Sequence, residues 1–240
     1  MGLRLCLRLD DILLLRQGVQ TKDENDVPSR RKIEMAYIFI HGLGQTPESW
    51  NKVISNMSLT EKVMCPNLPV LVHGQECNYK NLYAAFCRYC ETESDGMNLC
   101  GLSLGGILAL NYAIDHPEKI KSLVLIGTQY VMPKKLLAVQ NAIFRLMPSK
   151  SFESMGFSKK NFIQLSKTMA ELDFSMELGS ITCPTLVICG EKDTANKKAS
   201  EELAERIPHA SLSVISRSGH EVNQQAPTRL AGVLDGFWKG

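Results

Sequence analysis

Short, mostly apolar runs alternate along this chain with longer segments in which apolar positions recur every three or four residues. The runs read as buried strands and the longer segments as helices with one inward face. Strand patterns fall at 36–40 (AYIFI), 62–65 (KVMC), 97–100 (MNLC), 121–126 (KSLVLI), 185–189 (TLVIC) and 211–215 (SLSVI). Helical patterns lie between them: from Pro47 to about residue 56 with Thr46 as N-cap, then 80–93, 104–115, 196–206, and from about Ala226 onward. PNLP at 66–69 reads as loop. This alternation predicts an α/β fold, a mostly parallel twisted sheet with helices on both faces.

The alternation fails in two places. Residues 131–180 are rich in Met, Lys and Ser, keep a helical period and contain no clear strand. They predict a small helical cap inserted into a core formed by 33–130 and 181–240. At the other end, residues 3–9 (LRLCLRL) alternate like a half-buried strand, and 12–16 (ILLLR) could pair with them, but 17–32 are polar and contain Pro28. Residues 1–32 therefore read either as an N-terminal hairpin with a long loop or as a flexible extension, and the pattern leaves both open.

The chain has 240 residues, 44% of them hydrophobic and 22% charged, with a net charge of +2. That length buries about 70% of the unfolded surface without disulfide or metal staples, and the composition excludes collagen, coiled coil and wholesale disorder. So small a net charge carries no expectation of nucleic acid. Asp10 and Asp11 interrupt the apolar N-terminus, Cys6 stands where a myristoylation signal wants Ser or Thr, and no run approaches the length of a membrane span. The expectation is a cytoplasmic protein with no membrane span. Cys87 and Cys90 form the only CxxC among eight cysteines and lack the further ligands of a zinc site, so no metal is implied.

The chemistry concentrates at Gly101-Leu102-Ser103-Leu104-Gly105-Gly106. By composition alone G-x-S-x-G arises by chance in roughly one such chain in twelve. Here it joins an apolar strand directly to an apolar helix, the setting in which a serine occupies a sharp turn and raises its hydroxyl above a sheet. Serine is a weak nucleophile without a base, and the base needs orienting. Both partners are present in the order serine, acid, histidine: Asp193 follows the strand at 185–189 in CGEKD, and His220 follows the strand at 211–215 in SRSGHE. Carboxyl ends of parallel strands are where open α/β sheets build their sites. Glu191 lies two residues from Asp193, and Asp193 also suits the N-cap of the following helix.

With IFIHGLGQ (38–45), CGLSLGG (100–106), LVICGEKD (186–193) and SGHE (218–221), the chain resembles the α/β-hydrolase fold superfamily over about residues 36–238. The resemblance implies a serine hydrolase acting on a small ester or related acyl substrate, with Ser103, Asp193 and His220 as the catalytic triad and no cofactor. It also implies that the backbone N–H groups of Leu43 and Leu104 form the oxyanion hole. Two other functions stay open on the same fold: a cofactor-independent lyase of the menaquinone-pathway type acting on an anionic substrate, and a ligand-sensing signalling protein. Relatives usually carry Asp-Leu-Pro-Gly-His-Gly after the second strand; here that stretch reads Asn67-Leu68-Pro69-Val70, so substrate contacts there do not carry over.

Other side chains read more plainly. His41 is expected to hold the oxyanion loop by hydrogen bonds, and Trp50 to pack in the core. Between 131 and 170 seven basic residues face one acid, Glu153; they describe either a solvated helical surface or a cap that attracts an anion. The Met and Phe residues there, Phe144 and Phe157 among them, are expected to turn an apolar underside toward the pocket.

Overall fold

The computed structural model describes residues 35–92 and 96–239; the segment 1–32, with its two readings, lies outside the described residues. Six strands form one all-parallel sheet: β1 (Ala36–Ile40), β2 (Lys62–Met64), β3 (Met97–Leu102), β4 (Ile120–Ile126), β5 (Thr185–Gly190) and β6 (Ala210–Ile215), in the order β2-β1-β3-β4-β5-β6. Between them run α1 (Asn51–Ile54), α2 (Leu68–Leu71), α3 (Tyr79–Glu91), α4 (Leu104–Asp115), α5 (Lys134–Leu146), α6 (Lys159–Met169), α7 (Thr194–Arg206), α8 (Val222–Gln225) and α9 (Pro227–Lys239). No helix among the described residues is long and apolar enough to cross a membrane.

Alternate strand residues go to opposite faces, as the pleat requires, and each face has its own core. Ile38, Ile40, Leu99, Leu123 and Leu125 pack with Leu82 and Phe86 of α3 and Ile107 and Leu108 of α4. Tyr37, Phe39, Cys100, Leu102, Val124 and Ile126 pack on the other side with Trp50, Val53, Leu230 and Leu234. Both faces being covered is why the inner strands are continuously apolar. Trp50 is fully buried against Phe39, ring centroids 5.2 Å apart. Behind it Trp238 of α9 donates from Nε1 to Ser122 Oγ (2.9 Å), which in turn donates to Asn98 Oδ1 (2.6 Å).

Three segments depart from the pattern. PNLP is loop only as far as Asn67, whose side chain accepts the Val70 N–H; Pro69 sits in the first turn, and α2 begins at Leu68. The helix after Thr46 begins as a 3-10 turn over Pro47–Trp50, and Thr46 makes no side-chain cap. β3 runs on through Gly101 and Leu102, which pair with Leu125 and Ile126, so Ser103 follows the strand at once. Residues 131–180 are helical, with α5, a 3-10 stretch Ser149–Met155 and α6, and Val131 makes one antiparallel bridge to Asp173. Phe144, Phe152 and Phe162 meet edge to face at centroid distances of 4.8 to 6.1 Å.

The first turn of α4 lies against the end of β1. A methyl on Gly105 would overlap the backbone carbonyls of Ile40 and His41, atoms that cannot swing aside. Gly105→Ala should therefore cost about 1–3 kcal/mol by overpacking, a fall in Tm of roughly 2–12 °C for a fold of this size. Thermal unfolding followed by circular dichroism checks it.

Candidate functional site

Ser103 stands between β3 and α4 at φ +54°, ψ −113°, where a residue with a side chain is strained by about 1–3 kcal/mol. Its N–H donates to Ile126 O (2.9 Å) and its carbonyl accepts Ile107 N–H (2.9 Å), so neighbouring strand and following helix both hold the turn. Ser103, Asp193 and His220 line one cavity of about 410 Å³. The structure thus brings the three sequence-predicted residues together from the ends of β3, β5 and β6.

Asp193 is buried, and its Oδ2 lies 2.8 Å from His220 Nδ1. A carboxylate only accepts, so Nδ1 carries the proton and Nε2 is the basic nitrogen. Burial pushes the Asp193 carboxyl up, but hydrogen bonds from His220 and Asn196 outweigh it and hold it below the ordinary carboxylate value. Asp193 stands at the N-cap position of α7, yet its side chain does not cap the helix. Glu191 spends its carboxylate on the Arg217 N–H (2.7 Å). Gly127, at φ +53°, leaves room for the pair: a methyl there would lie 2.9 Å from His220 Nδ1 and 3.1 Å from Asp193 Oδ2.

The loop after β1 closes the other side. A methyl on Gly42 would come within 3.6 Å of Ser103 Cβ, which shows how near this loop runs to the serine. Among the described residues, neither Leu43 N–H nor Leu104 N–H has a hydrogen-bond partner. His41 is fully buried, accepts Leu68 N–H at Nε2 (3.3 Å) and donates from Nδ1 to Gly42 O (2.9 Å). Burial keeps it below its ordinary value, against the opposing pull of the Gly42 carbonyl and Glu48. It is the neutral holder of this loop, as its place in the sequence suggested.

The rest of the lining is mostly apolar: Ile107 from α4, Met132, Leu137, Val139 and Ile143 from the segment after β4 and α5, and Met169 from α6, with Gln140 of α5 a polar exception. Phe144 and Phe157 are not among these residues. Phe144 joins the ring cluster with Phe152 and Phe162, and Phe157 is buried; these rings pack into the same core that covers this face of the sheet. No lysine or arginine lines the cavity either. Lys134 pairs with Glu171, and Lys159 donates to the carbonyls of Arg145 and Met147 at the end of α5. Two residues that no motif singled out, Asn196 and Gln129, also face the cavity. Among the described residues, no group of three or more His, Cys, Asp or Glu side chains is placed to hold a metal ion.

Residues 37–233 match the sequence model of the alpha/beta hydrolase family. A pimeloyl-[acyl-carrier protein] methyl ester esterase of Aromatoleum aromaticum is 35% identical over 92 residues, which is 38% of this chain and only 36% of that relative's length. Monoacylglycerol lipase abhd6-B of Xenopus laevis is 22% identical across 83% of this chain and 74% of its own. A hydrolase from Pseudomonas aeruginosa PA01 superposes with a TM-score of 0.75 at 19% identity, covering 86% of this chain and 91% of the other, a likeness of fold.

Two outcomes are expected from this geometry. Gly127→Ala should separate the Asp193–His220 pair and lower turnover of an activated ester by ~10²-fold, the scale of a 1 Å misplacement, measured by steady-state kinetics. His41 concerns stability. Its folded value lies below the ordinary 6.5, so its contribution is complete above that pH and is lost as pH falls through the folded value. Tm should therefore decline more steeply below pH 6.5 in the wild type than in His41→Gln, as scanning calorimetry at a series of pH values would show.

Proposed function

The chain belongs to the alpha/beta hydrolase family, and on that premise we propose that it is a serine esterase whose nucleophile, base and acid are Ser103, His220 and Asp193. The observation that carries this reading is the convergence of a strained, cavity-facing serine with a hydrogen-bonded Asp193–His220 pair. In the proposed reaction Ser103 Oγ attacks the ester carbonyl while His220 Nε2 takes its proton. Asp193 keeps the proton on Nδ1, so that the tautomer is correct and the imidazolium is stabilised. The N–H groups of Leu43 and Leu104, without partners among the described residues, would donate hydrogen bonds to the oxygen on which charge develops, worth about 2.7–4 kcal/mol per donor. Collapse expels the alcohol, protonated by His220, and water then releases the acid by the same steps.

A mostly apolar lining without lysine or arginine supports an uncharged acyl group over an anionic one. The basic residues of 131–170, which were compatible with a lyase acting on an anion, do not line the cavity, so the lining favours the esterase reading. Two similar proteins are named a methyl ester esterase and a lipase, and both names speak for an ester here. The helices between β4 and β5 supply much of that lining, whereas Ser103, Asp193 and His220 lie outside them. We read 131–180 as a cap that selects the acyl chain.

Ser103→Ala should stay folded and lose all labelling by a fluorophosphonate probe, because only an activated serine reacts at a useful rate. Labelling that survives in this variant would remove the nucleophile. Leu137→Ala should raise KM for octanoyl esters by an amount equivalent to about 1–3 kcal/mol, with little change for acetyl esters. An equal loss of kcat on both esters would mean that the cap builds the reacting centre and does not merely select the chain.

A further inference from the structure

Behind the Asp193–His220 pair stand two amides with no place in any catalytic motif. Asn196, in the first turn of α7, is buried, and its Nδ2 lies 2.8 and 2.9 Å from the two Asp193 oxygens and 3.1 Å from His220 Nδ1. Gln129, three residues beyond β4, donates from Nε2 to Asn196 Oδ1 (2.9 Å) and to the backbone carbonyl of Ala195 (3.1 Å).

The orientation of each amide follows from its partners. A backbone carbonyl only accepts, so Gln129 must turn its NH2 toward Ala195. Asn196 must then meet that NH2 with its oxygen, which leaves its own NH2 facing Asp193. The 3.1 Å approach of Asn196 Nδ2 to His220 Nδ1 brings two donors side by side; it is packing, and the carboxylate is their shared acceptor. Every proton in the chain Gln129–Asn196–Asp193–His220 is thereby assigned from a carbonyl that cannot rotate. Helix formation does not explain the Asn196 side chain, since the backbone N–H that bonds Asp193 O (3.2 Å) would be supplied by almost any residue.

We propose that Asn196, oriented by Gln129, is a positioning residue that fixes the plane of the Asp193 carboxylate so that Oδ2 meets His220 Nδ1. This rests on the reading of Asp193 and His220 as acid and base. Without the Asn196 amide, the two buried oxygens would keep only His220 Nδ1–H and the Asn196 backbone N–H, and the carboxylate could turn away from the imidazole. A buried acceptor left unsatisfied is unfavourable, so the site would relax toward solvent or toward other donors.

The test uses the full chain with p-nitrophenyl acetate as substrate. Asn196→Leu should lower kcat about tenfold while KM stays within about twofold, the signature of lost geometry without lost binding. Asn196→Asp keeps the shape, removes the donor and adds a negative charge beside His220. The midpoint of its kcat/KM profile should move to higher pH than in the wild type, because a nearby anion favours the imidazolium. Gln129→Leu, at a half-buried position, should lower kcat in the same direction by a smaller factor.

Folded Asn196 variants with wild-type kcat and an unmoved midpoint would overturn the proposal. A loss confined to KM would overturn it too, making Asn196 a substrate contact. If Asn196→Leu fails to fold, Gln129→Leu decides, and unchanged kcat in that variant counts against the proposal. Fluorophosphonate labelling of wild type and Ser103→Ala runs alongside: labelling independent of Ser103 would defeat the site reading itself, a failure separate from that of Asn196.

Discussion

At the end of β3 the backbone turns from strand to helix within one residue, and Ser103 makes that turn at a positive φ that side chains disfavour. The strain persists because the surroundings leave no alternative. Ile126 O holds the Ser103 N–H, the Ser103 carbonyl already belongs to the first turn of α4, and Gly105 lets that turn press on the end of β1. The arrangement of the site depends on this turn. It raises the hydroxyl into the cavity, leaves Leu104 N–H at the helix start without a partner among the described residues, and brings Gly42 against the serine. A relaxed turn would return Ser103 to the sheet and remove all three features together.

The loops around this turn are tied to one another as well as to the strands. Gln45, in the loop after β1, exchanges side-chain amide hydrogen bonds with Asn223, just beyond His220, at 3.2 and 3.1 Å. Gln45 Oε1 also accepts Gly42 N–H. On the far side Lys192 N–H donates to Ser218 O (2.8 Å), joining the loops that carry Asp193 and His220, and Gly219 N–H donates to Gln225 Oε1 (2.6 Å) within the His220 segment. Gln45 and Asn223 are both buried, and in a low-dielectric interior a satisfied polar pair of this kind specifies one loop arrangement. The loop bearing Leu43 and the loop bearing His220 therefore share one frame.

The helices between β4 and β5 separate charge from shape. Lys134 goes to a surface pair with Glu171 and Lys159 to the carbonyl end of α5, where a cation completes the last turn. Their phenylalanines make an internal core of edge-to-face rings, and medium-sized aliphatic side chains are left to line the cavity. The excess of positive charge so evident in 131–170 thus says little about the ligand. The side chains that meet a ligand are set by which face of α5 turns inward.

Local rules made much of this protein readable from its residues. Apolar runs located the strands, because a strand covered on both faces admits little else. Gly101, Ser103 and Gly105 identified the turn, because a side chain at either glycine would collide with neighbouring backbone, and Asp193 and His220 were picked out by their places after strands. Tertiary structure alone decided the sheet order, which side chains of α5 reach the cavity, and the partners of the Asp193 carboxylate. Gln129 and Asn196 lie 67 positions apart in the chain, and Gln45 and Asn223 lie 178 apart. Their chemistry as surface amides would be ordinary; it acquires meaning only when folding buries them beside groups that can do nothing but accept or donate. Periodicity records which way a side chain faces within its own element, whereas hydrogen-bond partners depend on which elements end beside one another, and that is set by packing the whole sheet.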